Sequence, residues 1–225
     1  MRVLALDTAL GACAAAVLDI EQEKILASET LVMTRGHAEA LVPLIARVMG
    51  KADIAFWQLD RIAATTGPGS FTGLRVGISA ARGISLAAGK PAVGVSTLAA
   101  YAAPYIATND ADPVLAVIDA RHGHVYLQVF GAGGRTLVGP QIISLREVAR
   151  VVGKRPRVVG SAADLVATAW PRGENPPSVI DTSPAPAIAW VARLGAGAEV
   201  DTPPKPLYLR APDAQPQDAA RLPRR

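Results

Sequence analysis

Asp7 and Thr8 close an apolar run, "VLALDT", and Asp119 closes a second, "VLAVIDA". A carboxylate at the end of a buried strand suits a Mg²⁺-bound nucleotide, because hard cations take oxygen donors. Asp7, Thr8 and Asp119 are therefore the residues that could hold such a cofactor. The Asp-Thr pair could equally satisfy backbone donors in its own turn. The turn after it, "TALGA", offers one glycine, Gly11, to admit phosphate.

The stretch "TTGPGSFTGLRVG", residues 65–77, puts glycines ahead of a helix, where phosphate often sits. It has no Gly-Lys-Ser/Thr ending and no G-x-G-x-x-G, its glycines falling at 67, 69, 73 and 77; it is not a P-loop. Gly67–Gly69 reads as a tight turn and Ser70 as a helix N-cap. Gly73, Gly77 and Ala81 then recur every four residues. Each helical glycine costs about 1 kcal/mol relative to alanine. A smooth stripe, widened by Ala80, Gly83, Ile84 and Ala87, therefore predicts a close neighbour, from this chain or a partner. Arg75, Ser79 and Arg82 share one helical face, either solvated or able to take an anion.

His37, near the start of a helix, reads as a capping residue. His122 and His124 share a face if they lie on a strand, but no acidic or cysteine residue stands at a completing spacing, so no metal site is predicted. Without a G-x-S-x-G or a nucleophile–base pair, no catalytic residue is predicted. Cys13 is the single cysteine, which excludes an intrachain disulfide and fits a reducing compartment. The net charge of +4 permits nucleic-acid contact without arguing for it. Every apolar stretch is broken by charge, Pro or Gly before the roughly 20 residues a membrane span needs. The N-terminal run meets Asp7 early and reads as a folded strand rather than a signal peptide.

Apolar periodicity sets out the elements that must carry these residues. Strands are expected at Arg2–Asp7, Cys13–Asp19 and Ile25–Met33. A helix follows at Gly36–Met49, with Leu41, Leu44, Ile45 and Val48 at helical spacing and Pro43 as a kink or first-turn residue. Next come a strand at Arg61–Thr65, a helix at Phe71–Ala88, a strand at Pro91–Ser96 and a helix at Thr97–Ala107. After the turn-rich "TNDADP", Val114–Phe130 repeats the strand–Asp–turn–strand opening. Strands at Gln141–Ser144 and Val158–Val159 follow, with helices at Leu145–Val152, Ala162–Trp170 and Ala185–Leu194. The tail from Thr202 is proline-rich, without regular structure expected beyond "PLYLR". The predicted class is α/β: two ribonuclease-H-like subdomains, 1–107 and 108–225, each a mixed sheet with helices. This is the plan of sugar kinases, actin and Hsp70 (the ASKHA fold), with Asp7 and Asp119 in facing turns.

"VLALDTA", "TGPGSFTGLRVGISAARGISLAAGKPAVGVSTLAA", "VIDARHGHVY" and "PLYLR" together resemble the TsaB (YeaZ) family over nearly the whole chain. The resemblance implies a cytoplasmic, non-catalytic paralogue of TsaD, required for N6-threonylcarbamoyladenosine at A37 of ANN-decoding tRNAs. It implies a heterodimer with TsaD, support of TsaE binding, TsaC in the same pathway, tRNA reached through the complex, and homodimers through the same helices. It implies no cofactor in the isolated chain, with ATP only at the level of the complex. TsaD has a metal-binding histidine pair after the equivalent of the 71–88 helix; here "VGVSTLAAYAAP" has no histidine, which removes both the transferase metal and a metallopeptidase. His124 departs from the family, which usually has an acidic residue there. The partner surface so implied comprises His37, Leu41, Leu44, Ile45 and Val48 with Phe71, Arg75, Val76, Ser79, Ala80, Arg82, Gly83 and Ala87. The rival reading is a nucleotide-dependent enzyme of the kinase/Hsp70 class using Asp7 and Asp119.

Overall fold

The computed structural model describes residues 1–108, 112–152, 156–172 and 176–210. β1 (Arg2–Asp7), β2 (Ala12–Asp19) and β3 (Lys24–Val32) form an antiparallel meander. Then follow α1 (His37–Ala52), β4 (Arg61–Gly67), α2 (Phe71–Ala88), β5 (Ala92–Ser96) and α3 (Thr97–Ile106). β4 pairs parallel to β1 and β5 parallel to β4, so the first sheet runs β3-β2-β1-β4-β5.

The second half repeats this plan. β6 (Val114–Arg121), β7 (His124–Phe130) and β8 (Thr136–Ser144) are an antiparallel meander, followed by α4 (Val148–Val152), β9 (Arg157–Val159), α5 (Ala163–Ala169), β10 (Ser178–Asp181) and α6 (Ile188–Gly197). β9 lies parallel to β6 and β10 parallel to β9, giving the order β10-β9-β6-β7-β8. Read from β8, this is the first sheet again. The duplicated mixed sheet is the ribonuclease-H-like plan expected from the sequence.

Strand alternation assigns the layers. Leu4 and Leu6 of β1, with Cys13, Ala15 and Val17 of β2, face α1 and α2; Val3, Ala5, Ala14 and Ala16 face α6 and α3. α3 also packs Leu98, Tyr101 and Ala102 on Val114, Ala116 and Ile118 of β6, so it lies between the sheets. α4 and α5 cover the far side of the second sheet.

Several expectations change. Leu41, Leu44, Ile45 and Val48 are all no more than 3% exposed and pack in this chain's own core against β1 and β2. They are therefore corrected from partner-binding to core residues, because the apolar stripe of α1 faces the sheet. α6 belongs to the second half by sequence but lies on the first sheet, where Val191 and Ala192 meet Val3, Ala5 and Ala63. The packing thus does not follow a cut at residue 107. Of the two roles expected for Pro43, the first-turn one does not hold: it lies in the second turn of α1. β8 starts earlier than Gln141, and β10 is an additional strand.

Edge strand β3 has Val32 75% exposed. Its Glu29 is held by Arg47 and Lys51 of α1, an inward-drawn charge that discourages pairing with another edge.

Candidate functional site

The glycines of the 65–77 stretch make room for the chain's own β1–β2 turn. A Cβ at Gly69 would meet the Ala9 carbonyl, one at Gly73 the Thr8 carbonyl, and one at Gly77 the Thr8 hydroxyl. The Ser70 amide donates to the Ala9 carbonyl at 2.7 Å, and the Ser70 hydroxyl accepts the Gly73 amide at 3.3 Å as the N-cap of α2. The neighbour predicted for this stripe is therefore internal at Gly73 and Gly77. At Gly83 nothing lies within 4 Å of a built Cβ.

The outward side of α2 is exposed. Phe71, Arg75, Ser79, Arg82, Gly83 and Ala87 are exposed, and Val76 and Ala80 are half-buried. Two apolar residues that the spacing argument passed over stand out here: Leu86 on α2 is 87% exposed and Val42 on α1 is 65% exposed. Both fall off the buried stripes of their helices, and that misfit was the signal available. His37 is half-buried and does not cap α1, whose N-cap Gly36 has no side-chain bond. Instead its Nε2 lies 3.0 Å from the Leu10 carbonyl and ties α1 to the β1–β2 turn.

The candidate cofactor residues are not brought together. Asp7 is fully buried: Oδ1 accepts the Thr65 hydroxyl at 2.6 Å and the Ala9 amide at 3.0 Å, while Oδ2 has no partner. Burial pushes its carboxyl above the usual carboxylate range, opposed by the bonds from Thr65 and Ala9 and by nearby His37. Thr8 is also buried, and its hydroxyl donates to the Gly73 carbonyl at 2.7 Å. In this structure both side chains are spent on internal bonds, Asp7 on its own turn and Thr65, and Thr8 on α2, as in the turn-satisfying alternative. Asp119 remains exposed and accepts the Arg121 amide at 2.7 Å. His122 lies in a turn at φ 51°, not on a strand beside His124, and its carbonyl faces Nδ1 of His124 at 2.9 Å.

Asp119 lines a cleft of about 1180 Å³ between the halves. Its walls are the β1–β2 turn, the start of α1, the start of α2, the β6–β7 turn and the segment 207–210. That segment runs back across the first sheet, the Leu207 amide donating to the Thr66 carbonyl at 2.7 Å, and reaches the second, Arg210 donating to the Ala120 carbonyl at 3.3 Å. On the rim Phe71 and Tyr208 stack with centroids 5.1 Å apart, Arg75 lies 3.8 Å over the Phe71 ring, and its Nε donates to the Tyr208 hydroxyl at 3.2 Å. Among the described residues no three His, Cys, Asp or Glu side chains group as metal ligands, and no helix is long and apolar enough to cross a membrane.

Residues 24–169 match the family described as TsaD, tRNA N6-adenosine threonylcarbamoyltransferase. The Escherichia coli protein named tRNA threonylcarbamoyladenosine biosynthesis protein TsaB is 37% identical over 126 residues, 56% of this chain and 53% of its own length. YeaZ from Pseudomonas aeruginosa superposes with a TM-score of 0.77 at 27% identity, over 92% of this chain and 99% of that one. The chain belongs to the TsaB (YeaZ) branch of the TsaD-like family. A Mycobacterium tuberculosis relative, uncharacterized protein Rv3421c, is 35% identical over 214 residues, 95% of this chain and 94% of its own. The match therefore spans about half the length of the E. coli TsaB and nearly all of the mycobacterial relative. In this TsaB-branch chain the histidine-free stretch 93–104 forms most of β5 and α3, with the Ser96 hydroxyl accepting the Ala99 amide at 3.4 Å as the α3 N-cap.

Proposed function

We propose that this chain is a cytoplasmic, non-catalytic accessory subunit in N6-threonylcarbamoyladenosine formation on tRNA. It acts by binding a TsaD partner on the outward side of α1 and α2 and by supporting TsaE, with TsaC supplying the same pathway. The observation that carries the surface is the outer side of α2: Leu86 stands 87% exposed beside the small residues Gly83 and Ala87. An apolar side chain standing out among small residues suits close helix packing against a partner. The revised surface keeps Val76, Ser79, Ala80, Arg82, Gly83 and Ala87, adds Leu86 and Val42, and releases the four core residues of α1. In the absence of TsaD the same side can pair two copies of this chain. The burial of Asp7 supports an accessory role over a kinase-like one, because its carboxylate cannot reach a nucleotide in the cleft. In this reading ATP is held at the level of the complex and not by the isolated chain.

The test is Gly83→Arg, which adds bulk where nothing lies within 4 Å and leaves the core untouched. The variant should fold, fail to co-purify with TsaD from the same organism, and fail to restore the modified adenosine in tRNA of a depleted strain. Unchanged heterodimer yield and modification would place the interface elsewhere.

A further inference from the structure

At about 1180 Å³ the cleft between the halves lies just above the usual range of small-molecule pockets, about 300–1,000 Å³, and it is not furnished for a metal-bound nucleotide. Asp7 is sealed beneath the β1–β2 turn with Oδ1 already engaged. What the cleft does present is an aromatic platform and dispersed arginines, with the carboxylates of Glu39 and Asp119 among them. Tyr208 is 43% exposed beyond its stack with Phe71. Arg35, ahead of α1, and Arg121, at the end of β6 beside the β6–β7 turn, are exposed and line the cleft from the two halves. Among the described residues, neither guanidinium forms a hydrogen bond or ion pair with the protein.

The β6–β7 turn is held in an uncommon conformation. Arg121, His122 and Gly123 have φ of 63°, 51° and 73°; the first two are side chains that rarely adopt the left-handed region. The Asp119 carboxylate on the Arg121 amide and the Leu145 amide on the Gly123 carbonyl, at 2.8 Å, hold the turn. It keeps both Arg121 and His122 on the cleft wall.

We propose that this cleft binds single-stranded RNA directly, with a base stacked on Tyr208 and backbone phosphates at Arg35 and Arg121. Aromatic stacking combined with backbone-tracking cations is the general chemistry of single-strand binding. Cations drawn from two halves suit successive phosphates on a chain better than one terminal phosphate group. The proposal rests on the assignment to tRNA modification and deepens it: the accessory subunit contacts the substrate RNA as well as its protein partner.

The experiment is fluorescence anisotropy of the full chain with a labelled anticodon stem-loop RNA over a salt series. Binding should be saturable and weaken with salt, with a log–log slope of about −1.4 for two neutralised phosphates on a single strand. Arg121→Ala or Arg35→Ala should each bring the slope nearer zero by about 0.7. Tyr208→Ala should weaken binding about tenfold, while Tyr208→Phe, which keeps the ring, should bind as the parent does. Absence of binding at about 100 μM protein, or equal binding by parent, Arg35→Ala, Arg121→Ala and Tyr208→Ala, overturns the proposal. So does binding of Mg²⁺-ATP at the cleft that excludes the RNA. Co-purification with TsaD separates the two ideas: a flatter salt slope for RNA binding in Arg121→Ala with heterodimer retained supports the RNA site. Equal RNA binding by these variants, with the heterodimer lost in Gly83→Arg, sinks this proposal alone.

Discussion

Thr8 and Gly73 clamp the first turn of the sheet onto α2: the Thr8 hydroxyl donates to the Gly73 carbonyl at 2.7 Å, and the Thr8 carbonyl occupies the space a side chain at 73 would need. Gly73→Ala must push the two apart, and overpacking of this kind costs about 1–3 kcal/mol. Gly83→Ala, ten residues along the same helix, meets nothing within 4 Å and should stabilise by about 0.5–1 kcal/mol through helix propensity. Calorimetric melting of the two variants should therefore give Tm changes of opposite sign. A neutral Gly73→Ala would show that the turn yields.

The duplicated sheets were legible because each meander opens with an apolar run that leads into an aspartate, Asp7 and Asp119, and such runs are local signals. The direction of an apolar stripe was not. Leu41, Leu44, Ile45 and Val48 have the spacing of a helix face, but spacing is the same whether the face meets a sheet or a partner. The glycines at 73 and 77 signalled a close neighbour correctly, yet only the fold identifies it as Thr8. The rim cluster was out of reach because Tyr208 and Arg75 are 133 residues apart in sequence. α6 carries no local mark of returning to the first sheet, since its apolar face would fit either one.

Asp7 gives a pH signature. Its carboxyl is raised by burial, so the folded chain binds that proton more tightly than the unfolded chain. The sign follows: no penalty below the unfolded value of about 3.9, a penalty growing as pH rises through the folded value, and a constant one above it. Asp7→Asn keeps an acceptor for Thr65 and Ala9 and removes the charge. Its Tm relative to the parent should be higher at pH 8 than at pH 4. A difference that is flat across that range, or reversed, would mean that Asp7 is stably ionised in the fold.

Arg61 fastens α6 to the first sheet. One guanidinium nitrogen donates to the Gly195, Ala196 and Ala198 carbonyls at 2.9, 2.7 and 2.7 Å, satisfying carbonyls at the helix end. Arg61→Met retains the stem but leaves those carbonyls without the cation. A loss of about 2 kcal/mol is expected, with a Tm decrease of roughly 4–8 °C for a chain of this size. Hydrogen exchange should quicken first in α6. A change spread evenly over both sheets would mean that α6 does not open as a separate unit.

Leu86 separates fold from assembly. At 87% exposure it contributes little to the monomer, and Leu86→Asp should alter monomer stability by no more than about 0.5 kcal/mol. On the outward side of α2 it is placed to enter a partner's surface, where an introduced charge would be buried without a counter-ion. Light scattering should show the variant monomeric at concentrations where the parent self-associates, and co-purification with TsaD should fall at least tenfold. Leu86→Met, similar in volume and polarity, should retain both properties. If Leu86→Asp assembles as the parent does, the contact must centre on α1 around Val42 instead. The corresponding charge at that position, Val42→Asp, is then the variant that should abolish assembly.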